Sequence, residues 1–213
     1  MNTVKDKLNV CAKALIFAFL LISITSCSNK KKIEVRNKDG VVIESYFVNK
    51  KNPDDKIGTY SKFYDDGKAM EVSEYKDGKL NGIRTLYHPN GKIMQQENYA
   101  DNKLEGKLTS YYEDGSLQQE AIYKDNVGEG VWKNYFKDPK NVLNAEITMS
   151  NNKINGPFKE YYPNGKLYAK GTKIEIMEGV DSYDGKVEVY DSTGTLDKIL
   201  TFENGKQIAK EEK

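Results

Sequence analysis

From Gly58 onward, glycine, aromatic and polar positions recur at a spacing of about 24 residues. The clearest copies read GTYSKFYDDGK from Gly58, GIRTLYHPNGK from Gly82, GKLTSYYEDGS from Gly106 and GPFKEYYPNGK from Gly156. GVWKNYFKDPK from Gly130 is a worn copy, and GKVEVYDSTGT from Gly185 a divergent last one. With each head glycine as position zero, offsets five and six are aromatic in nearly every copy, and offset nine is Gly in five of six. Asn-Gly and Asp-Gly between aromatic or β-branched runs mark hairpins, in which both turn residues take positive φ.

The return strand carries apolar residues at offset eleven (Ala69, Ile93, Leu117, Leu167, Leu196) and aromatics at offset seventeen (Tyr75, Tyr99, Tyr123, Phe202). Their separation is even, which predicts one shared face. On the outgoing strand, offsets two and six share a face and offset five points the other way. A second turn, KDGKLNG at 76–82 and ADNKLEG at 100–106, leads to the next head glycine. The expected fold is all-β: an elongated antiparallel meander of about six stacked hairpins, each relying on its neighbours for burial.

The array has irregular parts. Residues 33–56 hold an opening hairpin around Asp39-Gly40 that serves as a cap, and the array proper runs 57–213. The fourth copy replaces its turn glycine with a longer loop around Pro139, and the stretch after Lys166 is extended through GTKIEIMEGVDSYDG.

The first residues point to export. Lys5, Lys7 and Lys13 precede an apolar run from Ala14 to Ile24, then Thr25 and Ser26. That order is a signal peptide over 1–26, and the run is too short to span a bilayer, which needs roughly 20 residues. Ile24-Thr25-Ser26-Cys27 resembles a bacterial lipobox, which implies a lipidated Cys27 as mature first residue and three acyl chains as anchor. Residues 27–32 then read as lipidated cysteine and polar tether. Ser28 after the cysteine implies outer-membrane sorting, and the basic tether favours the periplasmic face. Cys11 leaves with the leader, so no disulfide is expected.

The repeat pattern resembles the variant MORN repeat of bacterial proteins, a class often labelled YwqK-family antitoxins. The resemblance implies an open β-sheet array used as a scaffold or lipid-binding surface, and it brings no catalytic residue. Composition excludes other classes. Net charge is +1 and arginine occurs only at Arg36 and Arg84, which argues against nucleic-acid binding. The only histidine, His88, stands where other copies have Tyr or Phe and reads as an aromatic substitute. Acid pairs such as Asp54-Asp55 and Asp65-Asp66 sit in turn segments, where Asp is expected for backbone reasons. No enzyme, metal or cofactor is expected.

Aromatic excess is the remaining signal, with Tyr at 15 copies. Tyr112, Trp132, Tyr135, Phe158, Tyr161 and Tyr162 form the candidate recognition surface, because Tyr and Trp concentrate where proteins meet partners. The expectation is a noncatalytic, lipid-anchored envelope scaffold or binding module with a protein partner or an envelope polysaccharide. The alternative is an antitoxin or immunity protein that neutralises a cognate toxin.

Overall fold

A computed structural model describes residues 29–213. The signal peptide, Cys11 and the lipid-attachment residue Cys27 lie outside the described residues. The described residues form one sheet of sixteen antiparallel strands: β1 (Lys30–Arg36), β2 (Val42–Asn49), β3 (Gly58–Phe63), β4 (Ala69–Lys76), β5 (Lys79–Tyr87), β6 (Ile93–Ala100), β7 (Lys103–Leu104), β8 (Gly106–Tyr111), β9 (Leu117–Lys124), β10 (Val127–Tyr135), β11 (Leu143–Ser150), β12 (Lys153–Tyr161), β13 (Leu167–Met177), β14 (Val180–Tyr190), β15 (Leu196–Glu203) and β16 (Lys206–Glu212). Each strand neighbours the next in sequence, with β7 a short side pairing on β6. This is the all-β hairpin meander that the repeat predicts. The opening strand starts at Lys30, so the lysines expected in a tether belong to the sheet.

Two turn geometries alternate. At offsets six to nine, the glycine N–H donates to the carbonyl of offset six, as Gly67 does to Tyr64 at 2.9 Å and Gly115 to Tyr112 at 2.8 Å. Only the glycine takes positive φ there; Asp66, Asn90, Asp114 and Asn164 do not. This corrects the expectation that both residues of those pairs adopt it. The Asx side chain instead accepts the N–H two residues on, as Asn90 Oδ1 does from Lys92 at 2.9 Å. Paired positive φ belongs to the second turns: Asp77-Gly78, Asp101-Asn102, Asp125-Asn126, Asn151-Asn152 and Asn204-Gly205. In the longer fourth loop, Asn141 at φ 54° takes over the glycine's role.

A β-bulge near the first turn decides which side chains share a face. In every copy the register shifts by one residue between offsets four and five, as at Ser110↔Gln119 followed by Tyr111↔Leu117. The extra residue, Gln118 there, reverses the alternation of the return strand. Offset eleven therefore faces the same way as offset five, and offset seventeen faces the other way. The predicted shared face of offsets eleven and seventeen is thus overturned by a residue that only pairing reveals.

Offset seventeen packs across from the head glycine instead, in Gly58↔Tyr75, Gly82↔Tyr99, Gly106↔Tyr123 and Gly185↔Phe202. Gly156 shows why the head must be glycine. Its φ is 137°, and a Cβ would lie 3.0 Å from Thr148 Cβ. The aromatic row of offset seventeen and the row of offset two form the more apolar face. Small residues there are fully covered, with Ala121 and Ser73 at 0% exposure. The densest cluster lies at the C-terminal end, where Phe158, Ala169, Val187 and Val189 pack with Tyr183, Leu200 and Phe202. Both edge strands are rich in lysine, which discourages edge-to-edge pairing.

Candidate functional site

The six aromatics chosen from the sequence do not form one surface. Trp132 and Phe158 lie on the face of offset two, while Tyr135 and Tyr161 point to the opposite face. Tyr112 and Tyr162 stand at the turn edge. Phe158 is 2% exposed and belongs to the core, so its place in the recognition surface is corrected. It packs against Tyr183 at 5.1 Å between ring centroids. Trp132 packs against Tyr123 at 5.3 Å and donates from Nε1 to the Ile122 carbonyl at 3.3 Å.

In four of the six copies the offset-six residue is a latch between hairpins. Tyr64 donates its hydroxyl to the Tyr87 carbonyl at 2.6 Å, Tyr112 to Tyr135 at 3.0 Å and Tyr162 to Tyr190 at 2.8 Å. His88 Nε2 stands 3.1 Å from the Tyr111 carbonyl, in the same place and with the same reach. Side chains from the turn add to this edge: Lys92 Nζ donates to the Asp114 carbonyl at 2.6 Å and Asn90 Nδ2 to Glu113 at 2.8 Å.

The opposite edge has its own latch. Asn102 Oδ1 accepts from Leu80 N at 2.7 Å, Asn126 Oδ1 from Leu104 N at 2.7 Å and Asn152 Oδ1 from Gly128 N at 2.5 Å. The same asparagines donate their backbone N–H to the carbonyl of the same partner. Asn suits the place because it tolerates the left-handed φ and still supplies an acceptor. Sequence reading missed this ladder, although Asn102 and Asn126 stand where the neighbouring copy has Gly78.

Tyr135 and Tyr161 hold glutamates of the opposite face. Tyr135 Oη donates to Glu120 Oε2 at 2.8 Å, and Tyr161 Oη to Glu146 Oε2 at 3.1 Å. Burial, with the neighbouring Glu120 carboxylate, pushes the Tyr135 phenol up to about 12.

Two charged arrangements replace apolar packing. Arg84 occupies offset two, where other copies have Tyr60, Leu108 or Phe158. It donates from Nε to Glu71 Oε1 at 2.9 Å, from Nη2 to Glu71 Oε2 at 3.1 Å and from Nη1 to Glu97 Oε2 at 3.2 Å. Burial opposes ionisation of Glu71, but Arg84 outweighs it and holds the carboxyl below its usual range. Glu97 is itself 6% exposed, so two carboxylates share one guanidinium in a geometry that fits a planar fork. Near the first hairpins, Lys56 Nζ sits 5.1, 4.5 and 5.4 Å from the rings of Tyr46, Tyr60 and Tyr75. Burial, reinforced by Glu44 and Glu71, pushes the Tyr60 phenol up to about 12. Among the described residues no group of three or more His, Cys, Asp or Glu is placed to hold a metal.

Comparison with curated proteins yields no match. Among solved structures, a crystal structure of a TcdB2–TccC3–Cdc42 complex is similar at 11% identity over 82% of this chain, with a TM-score of 0.21; the match spans 12% of that chain. The family model of the MORN repeat variant matches residues 80–101, 104–125, 154–172 and 183–204. These windows hold the copies headed by Gly82, Gly106, Gly156 and Gly185, so four segments of the meander match the variant MORN repeat.

Proposed function

We propose that this chain is a noncatalytic, lipid-anchored scaffold or binding module of the cell envelope. One observation carries the reading: the two turn edges repeat the same kinds of latch in most copies while the sheet faces vary from copy to copy. Offset two is Tyr60, Arg84, Leu108, Trp132, Phe158 and Val187 on an otherwise common frame. A frame of this kind displays different side chains at fixed spacing, which suits recognition over an extended surface. MORN repeats are consistent with that role.

The anchor is supported by the sequence around Cys27. The sheet begins at Lys30, so a lipid on Cys27 would hold its first strand against the bilayer with little slack. The proposed setting is the periplasmic face of the outer membrane, with a protein or polysaccharide partner.

Fractionation of cells expressing wild type and Cys27→Ala tests the anchor. Wild type is expected with membranes, and the variant in the soluble fraction. A soluble wild type, or a membrane-bound Cys27→Ala, overturns it.

A further inference from the structure

The bulge in each return strand turns two consecutive side chains to one face. In most hairpins the extra residue is apolar, charged or aromatic: Met70, Met94, Asp197 or Tyr168. In the third and fourth hairpins it is an amide, Gln118 and Asn144. Together with Ser110, Tyr112, Gln119 and Asn134, these amides line an open groove of about 460 Å³. Every side chain lining it is uncharged, in a chain whose residues are 31% charged. The corresponding joint between the first two hairpins offers Lys62 and Glu71, and that between the last two offers Glu160 and Asp197. The neutral groove is local rather than a feature of the repeat.

We infer that this groove binds a neutral, hydroxyl-rich saccharide, an inference that rests on the binding-module reading above. Gln119 Nε2 donates to Asn134 Oδ1 at 2.9 Å, which orients both amides and leaves a carbonyl on one and N–H donors on the other. Among the described residues, the amides of Gln118 and Asn144 make no intramolecular hydrogen bond. Sugar hydroxyls both donate and accept, so they match a row of amides that also does both. Tyr112 is fixed by its hydroxyl bond to the Tyr135 carbonyl at 3.0 Å, and its ring supplies a flat wall for the C–H face of a pyranose. Phosphate-bearing ligands need cationic partners, and none lines the groove. Extended peptides pair with open strand edges, whereas this groove lies on the sheet face between paired strands.

The test is calorimetric titration of the full-length protein in a detergent without a sugar head group. The probes are maltohexaose, cellohexaose and the hexamer of N-acetylglucosamine, with acidic hyaluronan oligomers and an uncharged Gly-Ser peptide as contrasts. At least one neutral hexasaccharide is expected to bind with millimolar affinity or better. Gln118→Ala with Asn144→Ala should weaken it about tenfold or more, while Met70→Ala and Met94→Ala, at the same bulge position, leave it unchanged. Thermal melting confirms that each variant is folded. Absence of binding by all three neutral probes, equal affinity in the double variant, or preference for hyaluronan or the peptide overturns the inference. Cys27→Ala fractionation is independent of these outcomes, so the saccharide site and the anchored-module reading fail separately.

Discussion

The indole of Trp132 lies over Gly128, so close that a Cβ on residue 128 would stand 2.6 Å from its Cζ2. Equivalent places in other copies carry Leu80, Leu104 and Ile154, followed by smaller partners or Arg84. The glycine and the tryptophan are one packing solution: the largest side chain in the row is admitted by removing its neighbour.

Gly128 does not take positive φ, so substitution there meets sterics rather than backbone strain. Gly128→Leu is expected to destabilise by about 1–3 kcal/mol, the usual cost of overpacking. Adding Trp132→Leu should recover a large part of that loss. Urea midpoints of the singles and the double give the coupling, and additive losses would contradict the packing relation.

Tyr112→Phe keeps the ring and removes the latch to Tyr135. A loss of about 0.5–1.5 kcal/mol is expected, with faster amide exchange confined to the adjoining hairpins. A change spread evenly over the sheet would argue against a local latch.

Asn126 combines a φ of 70° with a side-chain bond to Leu104 N. Asn126→Gly should lose the bond, about 1 kcal/mol, but keep the turn. Asn126→Ala should lose both and cost roughly 1–2 kcal/mol more, the penalty of left-handed backbone. Equal stability of the two variants would show that φ is not a constraint.

The carboxyl of Glu71 is held below its ordinary range by Arg84 despite its burial. A lowered folded pKa contributes stability that is complete above the unfolded value, about 4.3, and is lost as pH falls through the folded value. Glu71→Gln should therefore flatten the stability profile below about pH 4. At the other extreme, Tyr60 and Tyr135 are raised to about 12. Their contribution is present below about pH 10 and disappears as pH rises toward 12. Denaturation curves across pH, with tyrosinate absorbance, measure both arms.

Much of the fold was legible because the turns are local. Gly67, Gly91, Gly115 and Gly165 announce their hairpins through a conformation that few other residues accept. His88 was legible as an aromatic substitute because it recurs in register with Tyr64 and Tyr112. The recognition surface was not: strand alternation already set Phe158 and Tyr161 on opposite faces, but the burial of Phe158 in the C-terminal cluster depends on packing against Tyr183 and Val187.

The sequence by itself determined the number and order of the hairpins, their turns and the meander, since each depends on backbone preferences within a few residues. Only the tertiary structure decided which side chains of the return strands share a face with those of the outgoing strands. A bulge is a mismatch in count between two paired strands, and neither strand carries it alone. That mismatch turns Leu117 away from Tyr123 and sets Gln118 beside Gln119 on one face. The latches were likewise decided by stacking, because Tyr112 and Tyr135, or Asn126 and Leu104, meet only when one hairpin lies against the next.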